Sequence, residues 1–456
     1  MTDRKDIPKV KSEISFKLLK QNEFSLDNGL RVVFILKDKL PLVRLNLIVN
    51  AGSKYDPENK KGLSYLTSLV MDEGADGMNA LQLSDEFDML GSNFNLSADN
   101  DLINMSLQSL TENFDRSLEL FSKVLLKPSF NDEDFDREKK KLITRIMQSK
   151  DEPEYLADQI FDKVILGKSN NYSFPVSGYE ETVESITVDE LKTHYGKFFS
   201  PSNSALIVVG DLNQNELVNL LNKYLSNWTT VQNDFRFSIA SAKPSKNIYL
   251  HHKEGSVQTE IRVGHITPKR NEKDFFQRYL LNTILGGQFT SRINLNLRER
   301  NGYTYGATSR FQYFKDTAFF EVSTSVGIEN TVNALKEILF ELDNIHNGVT
   351  DKEIEFAKSS ITKKFPLNFE TYRQIASGVA GKILFSLPDN YFDTYISNVN
   401  AVSKSDIDNS AKEFIMNDKL SIVLVGDKNL LLPKLGDLQI EVLEVDLFGE
   451  VVLDLK

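Results

Sequence analysis

The residues that bind metals and form covalent intermediates are scarce in this 456-residue sequence. There is no cysteine, which excludes disulfides, thiolate metal sites and a cysteine nucleophile. The five histidines are His194, His251, His252, His265 and His346. The adjacent pair cannot chelate one ion if it lies on a strand, because neighbouring side chains there point to opposite faces. In a loop the pair could do so, but no third ligand stands nearby, so hydrogen-bonding roles are favoured.

Long apolar runs are missing as well. No segment approaches the roughly 18 residues that a membrane span needs. The charged start of the chain, MTDRKDIPKVKSEISF, has none of the apolar stretch that is typical of a signal peptide. The formal net charge of −11 would repel phosphate backbones. These features predict a soluble cytoplasmic protein that binds neither nucleic acid nor membranes.

A long internal repeat predicts two domains. Residues 186–211 and 402–427 each contain a polar helix start, an amphipathic helix, a Phe-containing turn and an apolar strand that ends in Val-Gly-Asp. The two copies lie 216 residues apart, which is nearly half the chain and far longer than a solenoid unit. We therefore predict similar domains at 1–230 and 248–456, joined by a polar linker at 231–247.

Strand and helix patterns come in blocks within each half. Asn28-Gly29 between two apolar runs predicts a hairpin. Alternating apolar residues predict strands in both halves, including one over 305–313. Helical periodicity is clear over 132–149 and 351–364. Blocks rather than strict alternation predict an α+β fold, in which each domain is a mostly antiparallel sheet covered by helices.

Residues 62–75, GLSYLTSLVMDEGA, form the first of two segments that bear on function. They follow a strand and a glycine turn, and their apolar residues recur at helical spacing. In this frame the segment resembles the zinc helix of the pitrilysin/insulinase family, which includes the mitochondrial processing peptidase. That helix carries His-x-x-Glu-His, in which two histidines one turn apart bind zinc and the glutamate takes a proton from the metal-bound water.

Every chemical position of that motif is substituted in this chain. The resemblance places Tyr65 and Leu69 at the two histidine positions and Ser68 at the general-base position. The third-ligand position, a glutamate on a later helix in the family, falls on Arg145, whose charge would repel Zn²⁺. We therefore expect no zinc in this chain, and we expect Tyr65 and Leu69 to fill the former metal pocket as part of the core.

Residues 285–306, LGGQFTSRINLNLRERNGYTYG, resemble the signature of the family's second domain. The matching steps are Gly286-Gly287, Ser291-Arg292-Ile293, Leu297-Arg298-Glu299 and Gly302-Tyr303-Thr304-Tyr305. In the family, an arginine and a tyrosine seven residues later reach the substrate carbonyl across a central cavity and stabilise the tetrahedral intermediate. The resemblance assigns these roles to Arg298 and Tyr305. Taken singly, Arg298 could be one of several solvated helix charges, and Tyr305 could be a half-buried strand residue.

The resemblance extends over nearly the whole chain, including Leu26-Asp27-Asn28-Gly29-Leu30 and both Val-Gly-Asp strands. Some bacterial members of the family divide the work between a zinc-bearing chain and a chain that carries the Arg/Tyr pair. The resemblance thus implies the non-zinc subunit of a heterodimeric processing-type metallopeptidase. Zinc would be bound by the homologous partner, and the substrate would be a peptide.

Two other hypotheses stay open. One is a catalytically inactive scaffold or peptide-binding protein of the same fold, of the kind found in respiratory complexes. Such a protein has no need of an oxyanion donor, so the intact Arg298 and Tyr305 argue against it. The other is an enzyme with unrelated chemistry, for which the sequence offers no Ser/His/Asp set and no paired carboxylates in a suitable context.

Overall fold

Two β-sheets, one in each half of the chain, organise the computed structural model, which describes residues 15–231, 237–239, 245–270 and 273–454. The strands of the first half are β1 (Gln21–Ser25), β2 (Arg31–Leu36), β3 (Leu42–Val49), β4 (Gly74–Ala75), β5 (Met78–Asn79), β6 (Asn93–Ala98), β7 (Ile103–Leu110) and β8 (Ser204–Gly210). Those of the second half are β9 (Ile248–His252), β10 (Gln258–Ile266), β11 (Ala307–Tyr313), β12 (Ala318–Gly327), β13 (Ser421–Gly426), β14 (Val442–Val445) and β15 (Val451–Asp454).

Helices follow the strands in blocks. The first half contains α1 (Leu63–Val70), α2 (Ala80–Met89), α3 (Phe114–Leu126), α4 (Asp132–Ser149), α5 (Pro153–Leu166), α6 (Glu180–Glu184), α7 (Val188–Phe198) and α8 (Gln214–Leu225). The second half contains α9 (Phe275–Leu285), α10 (Arg292–Asn294), α11 (Thr331–Asn344), α12 (Asp351–Lys364), α13 (Tyr372–Leu384), α14 (Tyr391–Ala401), α15 (Lys404–Phe414) and α16 (Lys428–Leu435). The bounds of α4 and α12 agree with those predicted from periodicity.

Five adjacent strands of each sheet share one topology. The strand order is β1-β2-β8-β3-β7-β6 in the first and β11-β12-β10-β13-β9-β14-β15 in the second. β3 lies antiparallel between β7 and β8, and β10 lies antiparallel between β12 and β13. β2 runs parallel to β8, as β9 does to β13. The predicted α+β fold with two similar, mostly antiparallel domains is therefore confirmed.

Each domain lends one helix to the other. α13, from the second half, packs against β3 and β8 of the first sheet, whereas α5, from the first half, packs against β10 and β13 of the second. Along β3, Leu45 and Leu47 point into the core of their own domain, and Ile48 points into the apolar cluster of the second half. The two domains thus share buried surface, because a helix from the other domain covers part of each sheet.

A buried lysine adds a polar connection between the halves. Lys54 is fully buried, and its Nζ lies 2.9 Å from Asp101 in the first domain and 2.9 Å from Asp316 in the second. Burial alone would lower the pKa of Lys54, but the two carboxylates raise it. Tyr172 Oη also donates to Asp101, at 2.6 Å. The charge of Lys54 is therefore held by both domains.

Three further sequence predictions can be compared with the fold. Asn28-Gly29 forms the turn of the β1–β2 hairpin, and Gly29 has the positive φ of 86° that glycine tolerates best. Most of the predicted linker 231–247 lies outside the described residues. No helix in the described part of the chain combines the length and apolar character needed to cross a membrane.

Candidate functional site

The helix that corresponds to the zinc helix, α1, starts at a buried acidic cap. Asp56 accepts hydrogen bonds from the backbone N–H of Gly62 at 3.1 Å and of Ser64 at 3.0 Å, which satisfies two of the helix's unpaired donors. Gly62 has a φ of 96°, and a Cβ there would lie 2.6 Å from the carbonyl oxygen of Ser177. The backbone conformation of Gly62 and its close approach to Ser177 therefore fix where α1 begins.

The four substituted zinc positions lie together at the junction of α1 and α4. Tyr65 and Leu69 are half-buried on one face of α1, and Arg145 is exposed on α4. Arg145 Nη1 donates to Tyr65 Oη at 3.0 Å. Ser68 Oγ donates to the carbonyl oxygen of Tyr65 at 2.7 Å, so its hydroxyl is occupied by the helix itself.

The expectation that Tyr65 and Leu69 form part of the core needs correction. Both side chains pack against the first-domain core, but they stay partly exposed, whereas Leu66 and Val70 on the next face are buried. The side chain that covers Tyr65 from α4 is Arg145, which is itself exposed and leaves this face of α1 partly open. The two residues therefore line a surface rather than fill a closed pocket.

The donor set at this junction does not fit zinc. Zinc in proteins prefers imidazole, thiolate and carboxylate ligands, and the junction offers a phenol, an alkyl group and a guanidinium. No group of three or more His, Cys, Asp or Glu residues elsewhere in the described ranges could hold a metal ion. The histidine pair lies on β9, where His251 Nδ1 bonds Val445 O at 2.9 Å and His252 Nδ1 accepts from Lys428 N at 3.1 Å.

Sequence reasoning missed an acidic group beside the same junction. Asp72 and Glu73 follow α1, and Glu138 is buried on α4. Burial, with the charges of Glu73 and Glu138, raises the pKa of Asp72 to about 7. Arg137 offsets part of this charge, because its Nη2 lies 2.5 Å from Glu73 Oε2. In the sequence, only the acidic start of α4 suggested this group. Its members are far apart in the chain, since Arg137 lies 64 residues after Glu73.

In the second domain, the glycine turn of the signature is required by close backbone approach. A Cβ at Gly286 would lie 2.3 Å from Ser309 Oγ, and one at Gly287 would lie 2.7 Å from Asn282 Nδ2. Ser309 N donates to Gly286 O at 3.0 Å, and Asn282 Nδ2 donates to Ser309 O at 3.0 Å. These contacts tie the end of α9 to β11 and fix the start of the signature segment.

The middle of the segment is held by an ion pair and an unusual turn. Arg292 binds Glu353 of α12 through Nε at 2.6 Å and Nη2 at 2.9 Å. Burial would raise the pKa of Glu353, but the hydrogen bonds from Arg292 and Thr350 lower it to about 2. Residues Leu295–Arg300 then form a π-helical turn, a local feature that occurs frequently at functional sites.

Arg298 projects from this π-helical turn. Its guanidinium lies 4.5 Å from the centre of the Phe289 ring, and its Nε is 3.5 Å from Glu299 Oε1. Tyr305 follows and is 93% exposed. The strand predicted over 305–313 begins at Ala307 instead, because Thr304 Oγ1 accepts from Gly306 N and keeps this stretch in a turn. Tyr305 is therefore not a half-buried strand residue.

The structure does not bring the two segments into contact. No hydrogen bond, ion pair or ring contact joins Arg298 or Tyr305 to Tyr65, Ser68 or Arg145 in the described part of the chain. Each segment is instead held by contacts within its own domain.

Comparison with known proteins identifies the family. A model of the insulinase family (peptidase family M16) matches residues 31–171, and a model of the peptidase M16 inactive domain matches residues 185–361. Between them they span most of both domains. The chain belongs to the insulinase family of peptidases.

Individual relatives agree with this assignment. The chain is 24% identical to an uncharacterized zinc protease of Rickettsia felis over 340 residues, covering 75% of this chain and 82% of the relative. It is 21% identical to the non-peptidase homolog YmxG of Helicobacter pylori, covering 87% and 92%. The crystal structure of a peptidase M16 inactive domain from Pseudomonas fluorescens superposes with a TM-score of 0.84 at 25% identity, covering 90% and 98%. This protein is thus an inactive-type insulinase-family member.

Proposed function

We propose that this insulinase-family chain is the non-zinc subunit of a heterodimeric peptidase. A homologous partner would supply zinc, the attacking water and the general base. This chain would supply Arg298, Tyr305 and half of the wall of the chamber in which a peptide is cut. The chain alone would be inactive.

One observation carries the proposal, and it is the contrast between the two segments. In the first domain, Arg145 and Tyr65 bond to each other at two of the positions where zinc ligands would stand. In the second domain, Arg298 has only a 3.5 Å ion pair with Glu299 and Tyr305 is 93% exposed, and neither has a stronger partner among the described residues, although contacts hold the segment around them. A chain that had lost all catalytic role would have no reason to present an arginine and a phenol in this way.

The two side chains suit the charge that develops during peptide hydrolysis. Attack on the peptide carbonyl places negative charge on its oxygen, and donors held in advance lower the energy of that state. A guanidinium suits this role because arginine side chains carry a permanent positive charge. Phe289 supports the guanidinium from one side, which limits its motion without neutralising it.

The first domain also offers a place for an extended peptide. β6 is an edge strand of its sheet, and α1 packs against it. The outward-facing residues of β6 are polar: Asn93, Asn95 and Ser97. An exposed edge can accept a peptide as an additional strand through backbone hydrogen bonds. Such a peptide would pass beside the Tyr65–Arg145 junction.

A reconstitution experiment tests this proposal. The chain is purified and assayed on an unstructured peptide alone, and again after mixing with a zinc-bearing homologue from the same source. We expect activity above that of the homologue alone only in the mixture. Arg298→Ala should lower that activity by about 10²–10³. Arg300→Ala, an exposed arginine in the same turn, is the matched control and should leave the activity unchanged.

The alternative function, a scaffold or peptide-binding protein without a catalytic role, gives a different result. The mixture would then be no more active than the homologue, and Arg298→Ala would have no effect. Peptide would still bind to the chain on its own. The activities of the mixture with the unaltered chain and of the mixture with Arg298→Ala therefore distinguish the two proposed functions.

A further inference from the structure

Arg44 is a buried arginine that has no acidic partner among the described residues. It lies on β3, on the face that α13 covers, and is 8% exposed. Nη2 donates to Asn46 Oδ1 at 3.3 Å, and Nε has no hydrogen-bond partner. No carboxylate in the described ranges forms an ion pair with it. Its charge is therefore enclosed without compensation.

The surroundings of Arg44 make this charge more unfavourable. Burial, and then the positive charge of Arg373 on α13, lower the pKa of Arg44. An arginine does not escape this cost by losing its proton, because its pKa stays far above physiological pH. Buried charges in proteins are normally paired or bound to ions. A site with two arginines and no acid is therefore one that an anion would stabilise.

At the equivalent crossing, the second domain contains a buried arginine that is neutralised by acids. Val209 pairs with Arg44 across strands, and its repeat equivalent Val425 pairs with Glu260. There, Arg262 on the same face is 3% exposed and bonds Asp158 of the crossing helix α5 at 2.7 Å.

Arg262 also lies 3.0 Å from Glu260 on its own strand. At the equivalent crossing in the first domain, Arg44 replaces the glutamate and Arg373 stands on the crossing helix. The acids that complete the second crossing are thus exchanged for cations in the first. The first crossing lacks the anion that the second one contains.

The unoccupied edge of Arg44 suits a carboxylate. Arg292 and Arg31 each bind a glutamate through Nε and Nη2 together, which is the planar two-point geometry of a guanidinium with a carboxylate. In Arg44, Nε is buried without a hydrogen-bond partner and Nη2 has one weak bond, so the same edge is unsatisfied. A carboxylate would reach this edge by entering between β3 and α13.

The sheet face beside Arg44 leads to the place where a peptide could bind. Gln108 of β7 pairs with Arg44, and Asn93 of the edge strand β6 pairs with Gln108. These amides form a polar row from the buried guanidinium to the open sheet edge. They can bond peptide groups without adding charge.

We propose that Arg44 and Arg373 bind a carboxylate of a peptide that lies on this face of the first sheet, and that the bound carboxylate joins β3 of one domain to α13 of the other. That the carboxylate belongs to a peptide rests on the proposed function, whereas the need for an anion at Arg44 does not. No zinc-bearing partner is required for this binding.

Calorimetric titration of the full chain with short peptides tests the proposal. The probes are acetyl-tetraalanine with a free C-terminus, the same peptide as its amide, the amide with one glutamate, and inorganic phosphate. We expect binding of the free acid or of the glutamate peptide, which shows whether a terminal or a side-chain carboxylate is used. Equal binding of the plain amide, or binding of phosphate alone, would overturn the assignment.

Three variants separate a binding role from a structural one. Arg44→Met and the exposed Arg373→Ala should each weaken carboxylate binding by about tenfold or more. Without peptide, Arg44→Met should leave Tm unchanged or raise it, because an uncompensated buried charge is removed. Arg262→Met is the matched control and should lower Tm, because it removes the cation beside the largely buried carboxylates of Glu260 and Glu321. An equal loss of Tm in Arg44→Met, or unchanged binding in both Arg44→Met and Arg373→Ala, would refute the proposal.

These results do not depend on peptidase activity. If the reconstituted mixture is inactive but carboxylate peptides bind through Arg44, the proposed function fails and this inference stands. If the mixture is active but such binding is absent, only this inference fails.

Discussion

Arg145 Nη1 donates a hydrogen bond to Tyr65 Oη at 3.0 Å and joins α4 to α1 across 80 residues of chain. In zinc-bearing relatives the resemblance places two zinc ligands at these positions. Here a hydrogen bond between a guanidinium and a phenol links the same two helices. The spacing of the helices is therefore maintained by a different kind of contact.

This spacing leads to a prediction about zinc. The four-site variant Tyr65→His, Ser68→Glu, Leu69→His and Arg145→Glu should bind about one zinc ion per chain, because the helix frame already sets the ligand positions. The unaltered chain should bind none in stoichiometric amount. Elemental analysis after dialysis measures both.

A three-site variant that keeps Arg145 is the control for that experiment. Its guanidinium would stand next to the metal, so its zinc content should fall well below that of the four-site variant. A folded four-site variant without zinc would show that α1 and α4 are not spaced as a zinc pair.

Tyr305 supports a second prediction, because its exposure separates function from stability. Tyr305→Phe should lower the activity of the reconstituted mixture by about 10²-fold, since one oxyanion donor is lost. Its Tm should not change, because the side chain is 93% exposed. Tyr303→Phe, two residues earlier and partly buried, is the control and should keep full activity. Equal rates in both variants would remove Tyr305 from the site.

Local patterns predicted much of the fold. The bounds of α4 and α12 follow from a helical period with a polar cap at each start, and both caps are present in Asn131 and Thr350. The Val-Gly-Asp repeat predicted β8 and β13 because a buried strand needs a continuous apolar run. These features depend only on residues that are close in sequence.

Long-range partners were not predictable in this way. The apolar faces of α5 and α13 predict two helices, but they do not reveal that each covers the other domain's sheet. The isolation of Arg44 could not be seen either, because it depends on the absence of an acid from β7, β8 and α13 together. The bond between Tyr65 and Arg145 likewise requires the packing of α1 on α4.

Lys54 supports a prediction about the coupling of the two domains. Lys54→Met should destabilise the protein by about 3–5 kcal/mol, because it leaves the buried Asp101 and the partly buried Asp316 without their shared cation. The loss should be seen in chemical denaturation as a lower midpoint for both domains in a single transition, since both carboxylates meet at this lysine.

Arg31→Met is the matched control for this variant. Arg31 also pairs with a carboxylate, Glu23, but its side chain is 41% exposed and both groups stay in water after the change. Its midpoint should hardly move. A shift for Lys54→Met as small as that for Arg31→Met would mean that the buried network does not join the domains.

His265 supports a prediction about pH. Burial lowers the pKa of His265 from 6.5 to about 4, and its Nε2 accepts from Met416 N at 3.2 Å, which requires the neutral ring. As pH falls below 6.5, the unfolded chain takes up a proton that the folded chain refuses until about pH 4. Stability present above pH 6.5 is therefore lost across this window, with a slope near 1.4 kcal/mol per pH unit.

In the variant His265→Gln, the unfolded chain no longer takes up this extra proton as the pH falls. Burial also lowers the pKa of His194, to about 3, so the variant should retain part of the acid sensitivity and lose about one proton's share of the slope. Denaturant midpoints measured from pH 7.5 to 4.5 give both slopes, and the values at pH 7.5 correct for any change in packing. Parallel slopes for the two proteins would show that His265 is already charged in the folded state. The backbone N–H of Met416 could then not donate to His265 Nε2.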